Sequence, residues 1–115
     1  MQHLVFVYGT LRKGESNHHF LQECELLGQY STDPSYSLFN LGPYPAVIEG
    51  KKSILGEVYL IDEETLDRLD KLEDVPVEYR RETIDTPFGR AWIYLYQKAY
   101  KLDDEIITGD WCQRV

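Results

Sequence analysis

A carboxylate set among leucines and a glycine turn behind an apolar strand are the two places where this chain could do chemistry. The first is Glu73. The segment from Asp62 to Glu73 reads as a helix capped by Asp62. With Leu66 at zero and about 100° per residue, Leu69 falls near 300°, Leu72 near 240° and Glu73 near 340°. Glu73 therefore points with Leu66 and Leu69, while Glu64, Asp67, Arg68 and Lys71 point the other way and Asp70 sits at the edge, near 40°. An acid in apolar surroundings resists ionisation, so its pKa rises toward the range a general acid/base needs at neutral pH. The same spacing also allows Glu73 to turn to solvent at the helix end, or to pair with Arg80 or Arg81. Helical geometry does not choose between these.

The second place is Tyr8-Gly9-Thr10-Leu11, directly after the apolar run Leu4–Tyr8. Ligands gather beyond the carboxyl ends of strands. A glycine there permits a positive φ or a close approach, and successive N–H groups can form an anion-binding concavity. G-x-G-x-x-G is absent and no G-K-[ST] follows, so neither a dinucleotide fingerprint nor a P-loop is present. On these residues alone, a plain structural turn is the better reading.

Other reactive side chains form no constellation in the sequence. His3, His18 and His19 lack ligand spacing with any carboxylate or cysteine, so no metal site is expected. Cys24 and Cys112 stand far apart with no C-x-x-C, and read as reduced thiols. Tyr44 and Tyr79 could line a pocket, but nine tyrosines make packing as good a reading for each. Arg81 could neutralise a substrate carboxylate or form a surface ion pair.

The elements that must position these groups are short. Strands are expected at 4–8, 26–31, 36–41, 46–49, 54–61, 79–85 and 90–96, with an edge strand at Ile106-Ile107. Thr86-Pro87-Phe88-Gly89 joins the sixth and seventh strands as a hairpin. A short helix is expected from Ser16 or Asn17 to about Glu23, and Gly56 inside a strand marks a bulge or close approach. Pro76 ends the acid-bearing helix. Six to eight strands with two helices favour an α+β domain on a mostly antiparallel, barrel-like sheet.

Bulk properties narrow the function. With 115 residues the chain fits one domain, spanning 1–115. A net charge of −8 repels phosphate backbones and anionic lipid, which excludes nucleic acid and membrane as natural partners. Much of the acidity is local, because residues 62–74 hold seven acids against Arg68 and Lys71, a net of −5. The N-terminus has no basic region and its apolar run is too short for a signal peptide. No stretch approaches a membrane span, so a cytoplasmic protein is expected.

Three blocks carry a resemblance. Val5-Phe6-Val7-Tyr8-Gly9-Thr10-Leu11-Arg12-Lys13-Gly14, then Asn17-His18, resembles the opening of gamma-glutamylamine cyclotransferases and their plant and bacterial relatives. Gly56-Glu57-Val58-Tyr59, then Leu69-Asp70-Lys71-Leu72-Glu73, then Pro76, Tyr79 and Arg81, looks like the second signature of that family, and Pro43-Tyr44-Pro45 its middle loop. The resemblance implies a small mixed β-barrel with flanking helices. It implies a glutamyl group held by the backbone N–H groups of Tyr8, Gly9, Thr10 and Leu11, with Tyr79 and Arg81 nearby and Glu73 as acid/base. It implies release of an amine or amino acid with closure of the γ-glutamyl group to 5-oxoproline, needing no metal or cofactor. The partner is then a small γ-glutamyl substrate, and monomer and homodimer both stay open. The short turn at Thr86–Gly89 departs from animal relatives with a longer insertion, so the leaving group is not transferred. Some bacterial relatives lack the second-block glutamate, which this chain keeps. A non-catalytic domain that binds a small ligand in the same pocket is the competing reading.

Overall fold

The structure, a computed structural model, describes residues 2–98 and 102–113. The strands are β1 (Gln2–Val7), β2 (Glu25–Ser31), β3 (Tyr36–Asn40), β4 (Pro45–Glu49), β5 (Leu55–Asp62), β6 (Tyr79–Thr86) and β7 (Gly89–Tyr96). One α-helix, α1 (Glu63–Leu72), joins β5 to β6, and short 3₁₀ turns occur at His18–Phe20 and Trp111–Gln113.

Five strands form one sheet in the order β2-β5-β1-β7-β6, and β3-β4 form a separate hairpin. β1 runs antiparallel to β5 and parallel to β7, meeting it at Val5 and Trp92. The α+β class holds, but the expected barrel does not. Among the described residues β2 and β6 stay unpaired at opposite edges, so the sheet is open. Among the described residues the expected flanking helices reduce to α1.

The apolar run of β1 has two faces because side chains alternate along a strand. Val5 and Val7 join a core with Tyr59, Tyr79 and Tyr94, which Leu66 and Leu69 of α1 cover. Phe6 and Tyr8 join a second core with Val58, Ile93, Leu95 and Trp111, which Leu38 and Val47 of the hairpin cover. Each face of the sheet thus has its own lid, which is why β1 shows no polar alternation.

Two other expectations change, and a third is narrowed to one of its alternatives. Residues 16–23 do not form an α-helix. Asn17 N–H donates to the Thr10 carbonyl at 2.8 Å and its side-chain amide to Thr10 Oγ1 at 2.9 Å. Asn17 is thereby tied to the preceding turn and caps no helix. Ile106-Ile107 is not a strand: Glu105 makes an isolated bridge to Phe39, flanked by Asn40 N–H to Asp104 O and Ile106 N–H to Leu38 O, and Ile107 makes no ladder bond among the described residues. Gly56 is a close approach rather than a bulge, since a Cβ there would lie 2.4 Å from the Val7 carbonyl oxygen, and the bulge falls in β2 between Leu26 and Gly28.

Candidate active site

Helix α1 starts where Asp62 accepts the Thr65 N–H at 2.8 Å. It ends in a Schellman arrangement: Val75 N–H reaches Asp70 O at 3.0 Å and Asp74 N–H reaches Lys71 O at 3.2 Å. Asp74 supplies the left-handed residue, with φ 52°. The helix thus stops at Asp74, before Pro76. This fixes Glu73 as the last residue with helical backbone, one turn beyond the buried Leu69.

Glu73 lines a cavity with Tyr8, Gly9, Thr10, Leu11, Asn17, Tyr44, Pro45, Glu78, Tyr79 and Tyr94. The cavity offers ≈ 120 Å³ to the centre of a water-sized sphere, roughly ten times what one enclosed water needs. It suits a small organic molecule. Glu73 is only partly covered, because the cavity opens to solvent beside it. Even so, burial among the surrounding atoms raises its pKa from the ordinary 4.5 to about 7, and the nearby charge of Glu78 adds to the rise. Among the described residues no donor reaches its carboxylate, and Arg80 and Arg81 are engaged elsewhere, with Glu82 and Asp70.

The turn after β1 is built by its neighbours. A Cβ on Gly9 would lie 2.3 Å from Cγ of Pro45, so glycine is required here by the packing of the proline ring. The carbonyls of the turn are used: Gly9 O accepts from Arg12 N–H at 3.0 Å, Thr10 O from Asn17 N–H, and Leu11 O bonds His18 Nδ1 at 3.1 Å. Among the described residues the N–H groups of Gly9, Thr10 and Leu11 have no protein acceptor. All three residues line the cavity, so these N–H groups are available to a ligand there.

The cavity tyrosines are held as neutral walls. Tyr8 donates its hydroxyl to Tyr94 O at 2.6 Å, Tyr79 to Pro45 O at 2.7 Å, and Tyr94 to Asp70 Oδ1 at 2.8 Å. Desolvation pushes all three pKa values up, with Glu73 contributing in each case. Their hydroxyl protons are therefore committed to the protein.

Arg81 is not brought to the cavity wall. Its Nε lies 3.0 Å from Asp70 Oδ1 and its guanidinium 4.3 Å from the Trp92 ring centroid. It acts at one remove, holding the carboxylate that takes the Tyr94 hydroxyl. Cys24 and Cys112 are free thiols outside the cavity, half-buried and exposed.

Sequence reasoning missed what anchors the turn from below. Arg12, 5% exposed, places Nη1 at 2.6 Å from Asp110 Oδ1 and Nε at 3.5 Å from Glu57 Oε2. Glu57 Oε1 also accepts the Lys13 N–H at 2.9 Å and the Tyr59 hydroxyl at 2.8 Å. A carboxylate inside the apolar strand Ile54–Ile61 was the available signal. Glu78, Asn17 and Tyr94 were missed as cavity residues too. Glu78 lies in a non-periodic segment, and Tyr94 looks like any other strand aromatic.

The model of the family described as "Gamma-glutamyl cyclotransferase, AIG2-like" matches residues 5–113. A protein of Vibrio cholerae serotype O1 is 66% identical over 115 residues, covering 100% of both chains. The Escherichia coli gamma-glutamylcyclotransferase family protein YtfP is 44% identical over 110 residues, 96% of each chain. Its solution NMR structure superposes with a TM-score of 0.78 over 96% of this chain and 97% of that one. A Niallia circulans protein named gamma-L-glutamyl-butirosin B gamma-glutamyl cyclotransferase is 33% identical over 123 residues, 95% of this chain and 75% of that protein.

Proposed function

The chain belongs to the AIG2-like gamma-glutamyl cyclotransferase family, and from that premise we propose that it cyclises a γ-glutamyl amide to 5-oxoproline with Glu73 as the acid/base. One observation carries the reading. Among the described residues, a carboxylate with a pKa of about 7 and no donor shares a cavity with Gly9, Thr10 and Leu11, whose N–H groups have no acceptor.

The nucleophile is the α-amine of the substrate, so the protein need not supply one. Glu73 takes a proton from the α-ammonium, and the freed nitrogen attacks the γ-carbonyl carbon. Closing the ring is intramolecular, so holding the glutamyl chain folded supplies much of the acceleration. Charge that builds on the carbonyl oxygen is met by N–H donors of the turn. The ring C–N bond forms and the amide C–N bond breaks. Two protons leave the attacking nitrogen through Glu73 and reach the leaving nitrogen, which departs as an ammonium. Neutral tyrosine walls limit water around the reacting atoms, and Tyr8, Tyr79 and Tyr94 are oriented by their own hydrogen bonds. The Niallia circulans relative acts on a γ-glutamyl group by its name, in keeping with this reaction class.

The test is 5-oxoproline formation from a panel of γ-glutamyl amines and γ-glutamyl amino acids. Turnover is expected, and Glu73→Gln should lower kcat about 10²–10⁴-fold with the fold intact. A variant that keeps full activity would remove Glu73 from the chemistry. Ligand binding with no turnover of any panel member would favour a non-catalytic binding domain.

A further inference from the structure

The cavity contains a second carboxylate for which the cyclisation has no use. Glu78 lines the same space as Glu73. Its position is fixed by the backbone on both sides: its N–H donates to Asp74 O at 2.9 Å and its carbonyl accepts from Gln97 N–H at 2.8 Å. The Tyr44 ring stands 6.5 Å from that of Tyr79, and its hydroxyl pKa is raised by burial and, next, by the nearby charge of Glu78. Glu78 is half-buried, so it meets ligand and solvent together.

The lining of this cavity contains two carboxylates and no lysine, arginine or histidine among the described residues. Arg81, the nearest expected counterion, is paired with Asp70 instead. A γ-glutamyl head group brings one carboxylate and one ammonium. The three turn N–H groups are shared between that carboxylate and the γ-carbonyl oxygen, and Glu73 meets the ammonium. Among the described residues Glu78 then has no counter-charge, and the head group brings none for it. The remaining part of the substrate is the leaving group. A carboxylate on it would enter a space that already holds uncompensated negative charge. A cation would neutralise that charge where water is partly excluded and charges interact more strongly than in bulk.

Resting on the proposed cyclisation, we infer that Glu78 is a specificity residue that selects leaving amines carrying a positive charge of their own, such as diamines and polyamines, and disfavours amino-acid leaving groups whose carboxylate would face it. Its role is recognition. Glu73 does the proton transfer, and Glu78 ranks the substrates.

Three γ-glutamyl amides matched in chain length test this: those of a diamine, of the corresponding alkylamine and of the corresponding ω-amino acid. At one pH above the Glu73 titration, kcat/KM should fall about tenfold from cation to neutral and about tenfold again to anion, each step being about 1.4 kcal/mol. Glu78→Gln should compress the three to within about twofold, and Glu78→Lys should invert the order. Any effect of Glu78 on Glu73 ionisation is common to all three substrates and cancels in their ratios. High salt should flatten the wild-type series. The same ranking should appear in calorimetric affinities for Glu73→Gln, which require no turnover. Absence of 5-oxoproline from all three amides, with the affinity ranking present, would sink the cyclisation and leave Glu78 as a charge selector. Equal affinities for the three, or a ranking unchanged in Glu78→Gln, would overturn the inference about Glu78 whatever the turnover.

Discussion

Glu57 and Glu73 are two carboxylates withdrawn from water on the same side of β1, and they are treated in opposite ways. Glu57 accepts from Arg12, from the Lys13 N–H and from the Tyr59 hydroxyl. Glu73 accepts from no donor among the described residues and faces Glu78. A fully bonded buried acid locks the chain around it: Arg12, Glu57 and Asp110 clamp the turn to β5 and to the segment near Trp111. An acid with no partner keeps its proton until near neutral pH, which costs stability and leaves it reactive. The first holds the cradle still, and the second is what the cradle is held still for.

The largest effect expected from breaking this contrast is on the bonded side. Arg12→Met would leave Glu57 and Asp110 buried without their cation. Denaturant unfolding should report a loss of about 3–5 kcal/mol. Restoring neutrality with Glu57→Gln and Asp110→Asn in the same chain should recover part of it. A loss below about 1 kcal/mol would mean that the cluster is not a clamp.

Glu73→Gln should have the opposite sign, and a pH dependence. Folded Glu73 holds its proton up to about 7, whereas in the unfolded chain it ionises near 4.5. Between those values the folded state binds more protons, so stability falls as pH rises. The penalty is complete above about 7 and absent below 4.5. Glu73→Gln removes it, and should stabilise the protein above neutral pH by about 1–3 kcal/mol, the lower end reflecting the open side of the cavity. Melting curves of the variant and the parent should therefore converge in acid and separate above neutrality. Curves that stay parallel across that range would place Glu73 in water.

Local patterns carried most of what could be read beforehand. The α1 cap follows from Asp62, the β6-β7 hairpin from Thr86–Gly89, and the place of Glu73 in the apolar arc from 3.6-residue spacing, which left a turn to solvent equally open. Features that depend on distant partners were not legible. Arg12 meets residues 45 and 98 positions away, and no spacing rule joins them. Closure of the sheet depends on two edge strands, β2 and β6, that never pair. Gly9 was legible as a turn residue, but the proline ring that demands it comes from β4. The 16–23 segment misled because Asn17 is a good helix cap and an equally good partner for Thr10, and the turn claimed it. Arg81 misled because a cation beside an acid-rich helix has several acids to choose from, and Asp70 is the one in reach.

The most direct measurement is the pH titration of the Glu73 side-chain carboxyl carbon by NMR, assigned by difference from Glu73→Gln. The midpoint should lie near 7, and should move down in Glu78→Gln as the like charge is removed. A midpoint near the ordinary 4.5, unmoved by that substitution, would show a solvated carboxylate and contradict the account.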